Sequence, residues 1–282
     1  MARPQHTVVI GGQGELPALV ADGARARGRR VLGIALRGYA SDTFAEHCDE
    51  CIDAGIMQPG RWVRAAKRFG SEDAILIGRV SKSLMHTNGL FARLLAGVPD
   101  LYAMNLWYRR LRHDHRTSVL LTTLADDLNQ RGLRLVDSTT YLTEHLASDG
   151  VMGRIKPSAK AQGDVTFAWP LLAKTSTLHI GQSIAVHDRD VISVEAVEGT
   201  NAMIDRSGPL CPRGGWTLMK TAAPDHDMRA DVPTIGIETI RHAAAAGCTC
   251  IALGVGRVIL ADRPAVIKAA DQAGIAIIGV HA

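Results

Sequence analysis

Aromatic side chains are scarce in this 282-residue chain, at 4% of positions. Together with the lack of finger spacing or a long basic arm, this argues against a nucleic-acid-binding module, and no nucleic-acid partner is expected. Long apolar runs are missing too. None approaches the roughly 20 residues a helix needs to cross a bilayer, so no membrane span is expected. The opening residues, MARPQHTVVIGG, enter a buried-strand pattern within six positions, leaving no room for the regions of a secretory leader. A cytoplasmic chain is expected. Cysteine is sparse and odd in number, at five, which suits reduced thiols better than a disulfide framework. Cys48 and Cys51 form C-x-x-C and Cys248 and Cys250 form C-x-C. A zinc site drawing on both pairs is one reading. Small apolar residues in or beside a strand is the better one.

What is present is an ordinary globular balance, 46% hydrophobic and 21% charged, with a net charge of +4 that comes mainly from arginine and favours anionic partners. The length suits two domains of unequal design. Thr7 to Ile10 predicts a strand, Gly11-Gly12-Gln13-Gly14 a turn, Leu16 to Arg27 a helix closed by Gly28, and Val31 to Leu36 a second strand. A helix from Arg61 to Phe69 and the apolar run Ala74 to Gly78 extend this βαβ pattern, and continuous apolar strands of this type belong to a parallel sheet covered on both faces. After a helix over Ser118 to Gln130 and a strand over Leu133 to Asp137, the pattern changes. Gln182 to His187 and Val191 to Val197 read as a hairpin about Asp188-Arg189-Asp190. Thr234 to Ala246 (helix), Thr249 to Leu253 (strand), Ala265 to Ala273 (helix) and Ile275 to Val280 (strand) then alternate. The expected fold is α/β: a Rossmann-like N-terminal domain with a parallel sheet over 1–133, and a second α/β domain with a mixed sheet over 134–282.

Gly11, Gly12, Gln13 and Gly14 lie between strand and helix, where backbone N–H groups and a helix N-terminus are able to hold a phosphate. Pro17 replaces the third glycine of a dinucleotide fingerprint and Arg37 stands where an acidic ribose ligand would be, so NAD is not expected. A tight structural turn and a site for another phosphate or sugar both remain open. Arg79 and Lys82 leave the end of the third apolar strand, where ligand loops of open sheets gather. From Leu84 to Arg112, apolar residues including Leu101, Trp107 and Tyr108 stand beside Arg109, Arg110 and Arg112. This reads either as helices with a solvated basic edge or as a surface for a lipid or an anionic membrane face. His113-Asp114-His115 offers no third metal ligand at a recognisable spacing.

The densest chemistry lies in Glu195 and Glu198-Gly199-Thr200-Asn201, then Lys220, then Pro224-Asp225-His226-Asp227-Met228-Arg229 and Asp231-Val232-Pro233. Phosphoryl transfer needs such a mixture, because carboxylates hold Mg²⁺ while cations neutralise charge on phosphate oxygens. Asp225 and Asp227, two apart, would share one side of an extended segment. A loop of turn-forming acids is the plain alternative.

The Gly11-to-Pro17 loop, Ile77-Gly78-Arg79-Val80, Gly181-Gln182-Ser183, Glu198-Gly199-Thr200, and Lys220 through Asp225 to Thr234-Ile235-Gly236 together resemble the LpxI-type UDP-2,3-diacylglucosamine pyrophosphatases, in one order along the chain. The resemblance implies Mg²⁺-dependent hydrolysis of an acylated UDP-sugar in lipid A synthesis, with Asp225 essential and Asp227 assisting. Asn201 departs from the family, which usually has aspartate there, and this puts a metal-ligand role at that position in doubt. The resulting expectation is a metal held by Asp225 with Asp227 or Glu198, with Mn²⁺ as a substitute. Lys220 and Arg229 would neutralise phosphate, and Thr200, Gly11 to Gly14, Arg79 and Lys82 would bind substrate. A peripheral place on the cytoplasmic face of the inner membrane goes with the acylated substrate, and a homodimer with the frequency of symmetric pairs. A non-catalytic sensor of a phosphorylated ligand is the alternative.

Overall fold

A computed structural model describes residues 5–80, 98–108, 117–229 and 231–281. They form two compact units, the first made of Met1–Leu142 with Asp227–Asp231 and the second of Thr143–His226 with Val232–Ala282. The division expected after residue 133 falls instead after Leu142, and the strand Arg134–Leu135 belongs to the first unit's sheet.

In chain order the first unit holds β1 (His6–Gly11), α1 (Leu16–Ala26), β2 (Arg30–Leu36), a 3-10 segment (Asp42–His47), β3 (Glu50–Ala54), α2 (Pro59–Phe69), β4 (Asp73–Ile77), α3 (Leu101–Leu106), α4 (Thr117–Gln130) and β5 (Arg134–Leu135). The sheet runs β3-β2-β1-β4-β5 with every pairing parallel. Val8 and Ile10 face α2 and α4 through Trp62, Ala66 and Leu128, while Val9 and Ile75 are equally buried. Successive strand residues point to opposite faces, so both faces are covered, as the unbroken apolar runs predict. The chain turns outward from β1 in both directions. The carboxyl ends of β1 and β4 therefore flank the point where strand order reverses, the usual place for a ligand in such sheets. Strand β3, half-buried and carrying Glu50 and Asp53, was not anticipated, because an edge strand lacks the buried apolar run that marks its neighbours.

The second unit holds β6 (Gly150–Val151), α5 (Ala159–Thr177), β7 (Ser183–His187), β8 (Asp190–Val194), α6 (Thr200–Leu210), β9 (Trp216–Lys220), β10 (Thr234–Ile235), α7 (Ile237–Ala245), β11 (Cys248–Gly254), β12 (Ile259–Leu260), α8 (Arg263–Gln272) and β13 (Ala276–Val280). Its main sheet is mixed, in the order β6-β13-β11-β9-β7-β8. Strands β13, β11 and β9 are parallel, and β6, β7 and β8 pair antiparallel. One face is covered by α6, α7 and α8 through Met203, Ile204, Ile240, Ala243 and Val266. The other is covered by α5, whose Ala161, Val165, Ala168 and Leu172 recur at helical spacing against Ile184, Val186 and Met219. The expected hairpin forms β7 and β8, and its Asp188 and Arg189 both take positive φ, 51° and 60°, the twist a two-residue turn requires. Buried Asp164 of α5 accepts from the Arg189 N–H at 2.7 Å and so fastens helix to turn.

Two elements were misread from sequence. Thr234–Ile235 is a strand paired with β12, and the helix begins only at Ile237. The segment after Glu198, read as a turn, is the start of α6.

At the reversal point, Gly12 and Gly78 lie backbone against backbone. A methyl group on Gly78, whose φ is +97°, would sit 2.8–2.9 Å from Gly12 atoms. Gly78→Ala is expected to cost about 1–3 kcal/mol from the positive φ and the forced separation, read as a lower urea midpoint at unchanged slope.

Candidate active site

In the second unit, β9 ends in Lys220, which is only 4% exposed. Its ammonium donates to Thr200 Oγ1 at 2.5 Å, and the Thr200 hydroxyl donates to Glu195 Oε1 at 2.8 Å. Glu195 Oε2 lies 4.0 Å from the ammonium, buried and with no hydrogen-bond partner among the described residues. Thr200 is the first residue of α6, whose N-cap is Gly199 at φ +85°, with no side chain to bond the first-turn amides. A helix N-terminus with open amides carries partial positive charge, and here a buried ammonium stands beside it. The ammonium and the helix N-terminus favour an anion at this corner, while the buried Glu195 carboxylate opposes one.

Beyond Lys220 the chain stays buried through Ala223 and emerges at Pro224 and Asp225, both exposed. Arg257, just past the carboxyl end of β11, donates to the carbonyls of Ala223 at 2.9 Å and Pro224 at 3.4 Å. The backbone before Asp225 is thereby fixed while its carboxylate is left without a partner among the described residues.

In the first unit, Gly12 N–H donates to Ile77 O at 2.8 Å, and Gln13 and Arg79 exchange a pair of 2.9 Å backbone bonds. The amides of Gly12 and Gln13 are therefore spent on structure. What remains open is Gly14, with nothing near its Cβ position, and the N-terminus of α1, which has no side-chain cap. Exposed Arg79 stands at this loop.

The Asp227–Asp231 segment also packs in the first unit. Ser138 Oγ donates to both Leu76 O of β4 and Arg229 O at 2.9 Å, and the Met228 carbonyl accepts from Ser138 N–H. Arg229 is clamped between Asp227, at 2.6–3.1 Å, and Asp126, at 3.0 Å. Hydrogen bonding to Asp227, with Asp126 adding to it, raises the guanidinium pKa further above its ordinary value.

Three comparisons bear on this arrangement. Residues 6–145 match the LpxI N-terminal domain and residues 148–278 the LpxI C-terminal domain. The UDP-2,3-diacylglucosamine pyrophosphatase LpxI of Caulobacter vibrioides is 30% identical over 279 residues, 96% of each chain. The chain belongs to the LpxI family. Among solved structures, the enzyme WbmG of Bordetella bronchiseptica in complex with NAD matches at 15% identity over 29% of this chain and 27% of its own, TM-score 0.25. N5-carboxyaminoimidazole synthetase from Staphylococcus aureus matches at 14% over 64% and 38%, TM-score 0.21. Likenesses this slight carry no argument.

The structure places the expected site residues in different surroundings. Lys220 and Thr200 come together, and Arg79 joins the glycine loop. Asp227 has both carboxylate oxygens on Arg229, and exposed Glu198 is paired with Arg206 of α6 at 2.7 Å. Among the described residues no three His, Cys, Asp or Glu side chains converge as a metal cage. Mg²⁺ bound together with phosphates commonly needs only one or two carboxylates, and Asp225 suits that role. Asn201 Oδ1 accepts from Thr239 Oγ1 of α7 at 3.3 Å. Cys48 and Cys51 lie in the first unit and buried Cys248 and Cys250 in the second, and no zinc cluster forms among the described residues. Lys82, Leu84 to Leu95, Arg109 to Arg112 and His113-Asp114-His115 lie outside the described residues.

Sequence reasoning passed over Glu195 as a site residue and missed Asp126, Ser138 and Arg257. A signal existed for Arg257, since Gly256-Arg257 follows an apolar strand just as Gly78-Arg79 does. Thr200→Val is expected to leave Lys220 and Glu195 without their shared hydroxyl. It should destabilise the second unit by about 1–3 kcal/mol in chemical denaturation, with Thr200→Ser restoring most of it.

Proposed function

We propose that the chain hydrolyses the pyrophosphate of UDP-2,3-diacylglucosamine to UMP and 2,3-diacylglucosamine 1-phosphate, a step of lipid A synthesis. The family match over both halves supports the substrate. The observation that carries the chemistry is the Lys220–Thr200–Glu195 corner at the open end of α6, with Asp225 exposed past the same strand. In this reading Lys220 and the α6 amides hold a phosphate and stabilise the charge that gathers on it. Thr200 passes its proton-donor capacity to Glu195, which fixes the hydroxyl so that its lone pair faces the ammonium. Gly14, the α1 N-terminus and Arg79 bind the nucleotide or the sugar. Arg229 acts through position, holding Asp227 and the segment after Asp225. Asp225 would hold Mg²⁺, or Mn²⁺ in its place, and the ion when bound would polarise a phosphoryl oxygen and lower the pKa of water.

The reading extends to a membrane. On α3 and its flanks Leu101 is 85% and Tyr108 67% exposed, with Val98, Met104 and Trp107 also open to solvent. Apolar side chains of this size, followed in the sequence by Arg109 and Arg110, fit a peripheral position on the cytoplasmic face of the inner membrane, where a diacyl substrate resides. Among the described residues no helix is long and apolar enough to cross a membrane.

UMP release from UDP-2,3-diacylglucosamine in detergent micelles, with Mg²⁺ or EDTA, tests the reaction. Asp225→Ala is expected to lower turnover about 100-fold or more while substrate still binds. Absence of release from the native chain under any divalent metal would make it a phosphate-ligand binding protein. Replacing Trp107, Arg109 and Arg110 together should lower both binding to anionic vesicles and turnover of the acylated substrate. Unchanged values would remove the membrane from this account.

A further inference from the structure

Cys211, Cys248 and Cys250 are buried, and burial pushes the last two thiols up to about 12. Cys48 and Cys51 differ: both are partly open to solvent. Cys48 ends the 3-10 segment, a bend at Cys48 and Asp49 follows, and Cys51 lies in β3. The bend gathers both sulfurs over Gly33 of β2. A methyl group on Gly33 would sit 2.6 Å from Cys48 Sγ and 3.1 Å from Cys51 Sγ. Only a residue without a side chain leaves the two thiols this shared space, and that arrangement has no use in the proposed reaction.

We propose that Cys48 and Cys51 form a reversible dithiol–disulfide site, oxidised by low-molecular-weight disulfides of the glutathione class. The thiolate of Cys51 attacks one sulfur of the small disulfide, forming a mixed disulfide and releasing one small thiolate, which takes up a proton. The Cys48 thiol then gives up its proton and attacks Cys51 Sγ, closing the protein disulfide and expelling the second small thiol. The two protein sulfurs lose two electrons and two protons, and the small disulfide gains them as two thiols. The electrostatics assign the roles. Hydrogen bonding from Cys48 draws the Cys51 thiol down to about 7 against burial and Asp53. Cys48 is raised by that same bond, by burial, and by the charges of Cys51 and Asp49, with Arg25 of α1 opposing. The low-pKa thiol attacks and its neighbour resolves. The site also touches the glycine loop through one side chain, because the Phe44 ring lies against both Gly33 and Gly11. None of this depends on the proposed hydrolysis.

The test uses the full chain equilibrated with mixtures of reduced and oxidised glutathione, trapped with iodoacetamide and mapped by mass spectrometry. Cys48 and Cys51 are expected to lose alkylation together and to regain it with dithiothreitol, while the three buried cysteines remain reduced. Cys48→Ser should stop at a glutathione adduct on Cys51. Alkylation of Cys51 in the reduced native chain should quicken as pH rises through about 7, where the thiolate fraction grows. A persistent glutathione adduct on native Cys51, or two free thiols in excess oxidised glutathione, would overturn the proposal.

Discussion

An ammonium group withdrawn from water at the end of β9 governs the second unit. Burying a charge costs several kcal/mol unless oxygen replaces the lost hydration. The chain supplies that oxygen from two directions: the hydroxyl of Thr200 at the start of α6 and the carboxylate of Glu195 just past β8. Each depends on a backbone without a side chain. Gly199 turns into α6 at φ +85°, and a Cβ on Gly181 would sit 2.0 Å from the Glu195 carbonyl. The β7–β9 pairing sets Ser183 opposite Lys220, so sheet register and charge placement are fixed together. Buried ion pairs contribute little net stability, whereas removing one partner alone leaves an uncompensated buried charge, so Lys220, Thr200 and Glu195 hold one another in place.

The first unit solves a related problem by different means. Its cation, Arg79, stays exposed, and the constraint falls on two glycine backbones that approach closely where strand order reverses. In both units a cation lies at the carboxyl end of a parallel strand: Arg79 after β4, Lys220 closing β9 and Arg257 after β11. Within each parallel sheet such ends gather on one edge, the side on which open α/β sheets place their ligand loops.

The layered α/β design was legible because apolar runs bounded by glycine leave little choice of strand. Edge strand β3 and helix α5 were harder. The first is half-buried and acidic, and the second mixes Asp164 and Ser176 into its buried face. Lys220, Thr200 and Asp225 were legible as types suited to phosphate chemistry. That Asp227 and Glu198 would turn to Arg229 and Arg206 was not, because each arginine lies at a spacing that also reads as a solvated surface. Asp126 and Ser138 are separated from their partner Arg229 by about a hundred positions, beyond any local pattern.

The chain passes from one unit to the other three times, after Leu142, after His226 and after Asp231. Neither unit is a continuous stretch of the gene. A fragment ending at Leu142 would keep the Leu76 carbonyl but lack the Arg229 carbonyl that also accepts from the Ser138 hydroxyl, and the arginine that Asp126 binds. A fragment beginning at Thr143 would carry Asp227 to Asp231 with nothing to fold against. Evolution is therefore less free to shuffle these two units as modules than chains joined by one linker, and the residues after Asp225 are what bind their histories together.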